Sequence, residues 1–189
     1  MTLHQTTSST RPAGAARALD RPVEELAFTI GNTELGIVLI AGSLVGVCSI
    51  LMGSDEEELC EDLATRFPGY KLVRDDAKLA GDLCKVRRFI EAPAAGLDLA
   101  LNVRGTPWQR RVWSVLLGVP AGATITYSAL AARLGEPGAA RAVARACAEN
   151  ALALAIPCHR VIRKDGTLSG YRWGVERKRA LLAKEAALI

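Results

Sequence analysis

Between Glu25 and Leu51 the apolar residues come in short runs broken by Gly-Asn and Ala-Gly-Ser, whereas from Ser54 onward they recur every fourth position. A chain that changes its hydrophobic period in this way is neither all-helical nor all-strand. "ELAFTIGNTELGIVLIAGSLVGVCSIL" (25–51) reads as three antiparallel strands in a meander, with Gly31-Asn32 in the first turn. "SDEEELCEDLATRFPG" (54–69) reads as an amphipathic helix with Ser54 as N-cap. Acids fill its first turn, Leu59, Leu63 and Phe67 share a face, and Pro68-Gly69 stops it. A second helix is expected over 76–91, and "LDLALNV" (97–103) reads as a returning strand. Nothing in this part resembles a catalytic group, so its expected role is scaffold.

The second half opens at "GTPWQRRVWSVLLGVP" (105–120), where Thr106 fits an N-cap and Pro107 the first helical position. Trp108, Val112 and Leu116 make one face, and Gly118 ends the helix. "TYSALAARLGEPGAARAVARACAEN" (126–150) then splits into short helices at about 127–134 and 139–149, joined by a turn with Gly135, Pro137 and Gly138. That is the helix-turn-helix pattern. Its second helix carries Ala139, Ala140, Ala142, Ala144, Ala146 and Ala148, with Arg141 and Arg145 as its large polar residues before Glu149. Such a helix has little with which to read base edges in the major groove. It could approach a minor groove closely, with an arginine replacing a displaced base. An Ala-rich packing helix is equally compatible with the composition.

Charge divides the chain in the same way. Residues 1–103 hold 10 Lys/Arg against 15 Asp/Glu, and residues 104–189 hold 14 against 5. A basic module after an acidic one points to a polyanion, with a solvated basic face as the plainer alternative. Five cysteines (Cys48, Cys60, Cys84, Cys147, Cys158) without close spacing argue for reduced thiols in a cytosolic protein, and four are expected as buried apolar side chains. With no C-x-x-C and only His4 and His159 as histidines, no metal site is expected. Residues 1–22 read as a disordered tail and not as a secretory signal, and no run of about 18 apolar residues suggests a membrane span.

"AIPCHRVIRK" (155–164) sets Cys158 beside His159, the sole histidine outside the tail. A nucleophilic cysteine needs a base or a lowered pKa. Adjacent side chains rarely face each other, so His159 would reach Cys158 through a water. The imidazole in turn needs a carboxylate to hold its tautomer. After residue 104 the acids are Glu136, Glu149, Asp165, Glu176 and Glu185. Glu185, on the C-terminal helix "VERKRALLAKEAAL", is the best placed of them, although spacing does not select it.

"RGTPWQRRVW", "TYSALA", "AARAVARACAEN" and "IPCHRVIRKDGTLSGYRWGVERKRALLAKEA" together resemble the O6-alkylguanine-DNA alkyltransferases, in particular their Ada-type branch. The resemblance covers roughly residues 103–187. It implies an α/β two-module fold: a ribonuclease-H-like scaffold over 23–103, then a mainly helical helix-turn-helix domain over 104–189. It also implies a cytoplasmic bacterial monomer with no cofactor. The partner would be double-stranded DNA carrying O6-alkylguanine, bound through the minor groove, with O4-alkylthymine as a second candidate substrate. Cys158 would accept the alkyl group irreversibly, once per molecule. His159 would act through water, with Glu185 orienting it and the pair holding the thiol pKa down. Asn150 would be the hinge of the active-site loop.

By the same resemblance Tyr127 would donate to N3 of the flipped guanine and turn its 3′ phosphate. Arg141 would fill the gap in the duplex, with Ala139, Ala140, Ala142 and Arg145 on the DNA face. The carbonyls of Cys158 and Val161 would meet the guanine amino group. Tyr171, the amide of Arg172 and Trp173 would line the pocket. Where some members have glycine this chain has Trp173, and where they have proline it has Ala153, so a pocket too small for a benzyl group is expected. The alternative reading is a helix-turn-helix regulator of the alkylation response, but the first module lacks the cysteine cluster that the family's regulatory domain uses. A Cys/His hydrolase fits poorly, because it would leave the basic module without a role.

Overall fold

The computed structural model describes residues 24–168 and 170–187. The expected disordered tail, 1–22, and His4 lie outside the described residues. Strands β1 (Glu25–Thr33), β2 (Gly36–Gly42) and β3 (Val47–Gly53) form the expected antiparallel meander. The first turn, however, is Glu34-Leu35, not Gly31-Asn32, which pair with Val38 and Ile37 inside the ladder. Gly36, at φ +101°, supplies the left-handed residue of the turn, and the Thr33 hydroxyl donates to its carbonyl at 2.7 Å. Gly31 has a different use: a Cβ there would come within 2.7 Å of the Leu83 and Arg87 side chains.

Helix α1 (Glu56–Arg66) starts one residue later than expected: Asp55, not Ser54, caps it by accepting from the Glu58 amide at 2.9 Å. The strand expected over 97–103 reduces to a single bridge between Leu101 and Val47. The fourth strand of the sheet is instead β4 (Lys71–Arg74), parallel to β1, giving the order β3-β2-β1-β4. Its four residues, two apolar between two charged, are too few to announce a strand. Helix α2 (Asp76–Glu91) follows as expected.

Because side chains alternate across a strand, β2 sends Leu39 and Ala41 to one face of the sheet and Val38 and Ile40 to the other. The first face packs on α1 through Leu59 and Leu63. The second packs on α2 and continues into the core of the basic half, through Trp113 and Leu116 of α3 (Pro107–Leu117), Leu130 of α4 (Tyr127–Arg133), Val143 of α5 (Ala140–Ala148) and Leu181 of α6 (Val175–Ala186). One apolar cluster thus joins the sheet to the helices that carry the site. A two-residue parallel ladder between β5 (Ile125–Thr126) and β6 (Val161–Ile162) ties the start of α4 to the segment after Cys158. Thr106 and Gln109 close a full capping box on α3. No described helix is long and apolar enough to cross a membrane.

Candidate active site

Helix α5 ends at Ala148, and Asn150 two residues later is fully buried. Its Nδ2 donates to the carbonyls of Leu152 (3.3 Å) and Ile156 (3.0 Å) and lies 3.2 Å from Cys158 Sγ, while its Oδ1 accepts from the Leu152 amide at 2.9 Å. One side chain therefore folds the loop 150–158 around itself and holds its end, the thiol. Leu154 in that loop takes φ +68°, costly for a branched side chain, and is held there buried. Cys158–Arg160 form a single 3-10 turn, all three residues buried.

His159 Nε2 lies 2.9 Å from Glu185 Oε1, both side chains fully out of solvent. A carboxylate only accepts, so Nε2 carries the proton and Nδ1 keeps its lone pair. Nδ1 is buried with no hydrogen-bond partner among the described residues. Arg160 grips the same carboxylate, with Nε 2.9 Å from Oε2 and Nη2 2.7 Å from Oε1, and its Nη1 donates to the Val119 carbonyl at 2.5 Å. Burial raises the Glu185 carboxyl, but the hydrogen bonds and charges of His159 and Arg160 outweigh it and hold the pKa at about 2. Burial lowers the His159 imidazole despite Glu185, so it rests neutral.

The expectation that His159 and Glu185 hold the thiol low is not met in this resting arrangement. Burial pushes the Cys158 thiol up to about 11. The side chains pulling it back are Asn150, by its hydrogen bond, and Lys178, by its charge. Lys178 is itself fully buried, with Nζ 2.5 Å from the Val161 carbonyl. The site therefore rests as protonated thiol and neutral imidazole, with a fixed cation nearby.

A cavity of about 30 Å³ touches Cys158, Tyr127, Ala144, Cys147, Tyr171 and Arg172. That is room for a water or two, not for a purine. The Tyr171 hydroxyl is buried without a hydrogen-bond partner among the described residues, and burial keeps the phenol protonated. Arg172 turns its guanidinium outward to Asp62 of α1 at 2.6 Å. Trp173, Val161 and Ala153 do not line this cavity: all three are buried in the main core. Trp173 stands behind Tyr171, edge-on at 5.1 Å between centroids.

On α5 and just before it, Arg141 and Ala142 are exposed, and Ala139 and Ala140 are half-buried. Arg145 is exposed but paired with Glu149 at 2.9 Å, and Glu149 also accepts from Gln109. Of the other cysteines, Cys48 and Cys147 are buried, Cys60 is half-buried and Cys84 is exposed, so burial of all four does not hold. Sequence reasoning missed Arg160 and Lys178. A histidine calls for a carboxylate, but nothing local in the sequence calls for a cation to hold that carboxylate. No group of His, Cys, Asp or Glu suited to a metal is found among the described residues.

Residues 107–187 match the family model described as the 6-O-methylguanine DNA methyltransferase, DNA binding domain. The chain is 45% identical over 159 residues to the Escherichia coli "Bifunctional transcriptional activator/DNA repair enzyme Ada", a match covering 84% of this chain but 45% of that protein's length. It is 39% identical over 149 residues to the inducible methylated-DNA–protein-cysteine methyltransferase of Bacillus subtilis, covering 77% of this chain and 82% of that one. The structure of Mycobacterium tuberculosis OGT in complex with DNA superposes with a TM-score of 0.71 at 32% identity, covering 85% of this chain and 93% of that chain. With a relative this similar matched over most of its length, the chain belongs to the methylated-DNA–protein-cysteine methyltransferase family.

Proposed function

We propose that this protein repairs DNA by moving a methyl group from O6 of guanine to its own Cys158, once per molecule. The observation that carries this reading is the buried cluster itself. A thiol, a neutral imidazole with a free lone pair and a carboxylate doubly held sit at the end of an alanine-rich helix in the basic half. Cys158 loses its proton through a water to His159 Nδ1, and the imidazolium is stabilised by Glu185. The sulfur attacks the methyl carbon as the carbon–O6 bond breaks, and the electron pair stays on the guanine. Tyr127, on the cavity wall at the start of α4, donates to N3 and offsets that charge. The proton held on His159 returns through water to the guanine ring, so the products are a thioether and an unmodified guanine, and no cofactor enters the balance.

The target base lies inside a duplex and has to be flipped out. In this reading α4 and α5 are a helix-turn-helix, α5 lies in the minor groove and exposed Arg141 fills the gap. The segment 170–174 moves to enlarge the cavity. Residues 23–103 act as the scaffold, and the order β3-β2-β1-β4 with two helices suits a ribonuclease-H-like unit. The protein works as a monomer in the bacterial cytosol. Incubation with excess O6-methylguanine duplex is expected to plateau at one methyl per protein; continued turnover would overturn the reading.

Trp173 restricts the pocket from behind, by fixing Tyr171. Free O6-benzylguanine is expected to inactivate the wild type slowly and Trp173→Gly faster, with transfer from methylated duplex measured alongside to show that the variant folds. Equal inactivation rates in a folded variant would remove Trp173 from the pocket's control.

A further inference from the structure

Outside the site just described, α3 and the end of α4 enclose an open groove of about 580 Å³. Three arginines line it, Arg110 and Arg111 from α3 and Arg133 from α4, together with Ser114. No carboxylate is among the lining residues, although Glu136 follows only three positions after Arg133. All three arginines are exposed, and none is in an ion pair among the described residues. Arg111 is the most ordered of them: its Nη2 donates to the Leu134 carbonyl at 3.0 Å, and its guanidinium lies 5.5 Å from the Trp108 ring centroid. On the neighbouring α5, by contrast, Arg145 is paired with Glu149. Three like charges left together in one groove repel each other and cost stability, unless an anion occupies it.

The groove is also joined to the DNA-facing helix. Trp108, whose ring carries Arg111, donates its indole N–H to the carbonyl of Ala142 at 3.4 Å. The path from exposed Arg141 and Ala142 across Trp108 to Arg111 and the groove is short. Guanidinium groups in a fork geometry suit phosphate oxygens, and the Ser114 hydroxyl adds a neutral donor. We infer that the α3/α4 groove is a phosphate-backbone site, which takes the strand of the duplex that flanks the lesion and anchors it through Arg110, Arg111 and Arg133. The inference rests on the repair reading above and adds to it where the undamaged flank lies. Phosphate contacts of this kind position a duplex without reading its sequence.

The test is the salt dependence of affinity for an undamaged duplex, measured by titration at several salt concentrations. Each lost phosphate contact lowers the slope of log K against log salt by about 0.9. For Arg110→Ala/Arg133→Ala the slope should therefore fall by about 1.8. Lys85→Ala/Arg88→Ala, which removes two cations from α2, should leave the slope unchanged. Inactivation by free O6-benzylguanine should match the wild type in both, because neither pair touches Cys158. A wild-type slope in the Arg110/Arg133 variant, with normal duplex binding, overturns this inference alone. A wild type with no salt-dependent duplex binding overturns the repair reading with it.

Discussion

His159→Ala is expected to slow methyl transfer by about 10² to 10⁴-fold, the range that a positioned general base supplies, while duplex affinity stays at the wild-type value. The thiol rests protonated, pushed up to about 11, so the rate depends on the group that takes its proton. In the proposed mechanism His159 Nδ1 supplies the lone pair, since Nε2 is committed to Glu185. Glu185→Gln should also slow transfer, because an amide does not stabilise the imidazolium. It should also destabilise the fold by roughly 3 to 5 kcal/mol, since it leaves the Arg160 guanidinium buried without its counter-charge. Transfer rates and denaturant midpoints measured on both variants separate the two effects. A His159→Ala variant at the wild-type rate would remove the imidazole from the mechanism.

The same groups set the pH response. In the proposed mechanism His159 works as the neutral base, and burial lowers its pKa below the usual 6.5. Transfer should therefore be level through neutral pH and fall only in acid, below the ordinary histidine range. Stability follows the same sign. The unfolded chain binds a proton on His159 near 6.5 that the folded chain refuses, so stability is lost as pH drops below that value. Glu185, depressed from 4.5 to about 2, adds stability that is present above 4.5 and lost between there and 2.

Asn150→Ala is expected to cost about 1 to 3 kcal/mol and to slow transfer as well. The substitution leaves the Leu152 amide buried without its partner, at roughly 1 to 3 kcal/mol, while the Leu152 and Ile156 carbonyls keep the Ile156 and Cys158 amides as donors. It also removes a donor that favours the thiolate, so the thiol moves further from ionisation. Asn150→Asp should be no better, since it replaces that donor with a negative charge beside the sulfur. A denaturation midpoint and a transfer rate equal to wild type in Asn150→Ala would show that the loop holds itself.

The parts of this arrangement that were legible in the sequence are those governed by local rules. Thr106, Pro107 and Gly118 bracket α3 because caps and proline act within one turn, and the lone histidine outside the tail had to be the base if a base existed. The turn of the first hairpin was misread because Gly31-Asn32 has turn chemistry, while the reason for that glycine is the distant approach of Leu83 and Arg87. Strand β4 is four residues long and is fixed by pairing with β1, a partner 46 positions away at Glu25 and Lys71. Arg160 was in plain view beside His159, but its bond to Glu185 spans 25 positions, and nothing local requires it. The family resemblance puts Trp173 on the pocket wall, whereas the backbone turns after Tyr171 and sends the indole into the core.

The central claim is that Cys158 is the alkyl acceptor, and Cys147 gives that claim a close competitor, since both thiols border the same cavity. Burial and the neighbouring Cys158 raise the Cys147 thiol further than Cys158 itself, and Asn150 is bonded to the latter. Peptide mass spectrometry after reaction with O6-methylguanine duplex is the direct measurement. The account predicts a 14 Da increment on the peptide containing Cys158, at one per protein, and none after Cys158→Ser. A methyl group on Cys147, or labelling that survives Cys158→Ser, would contradict it.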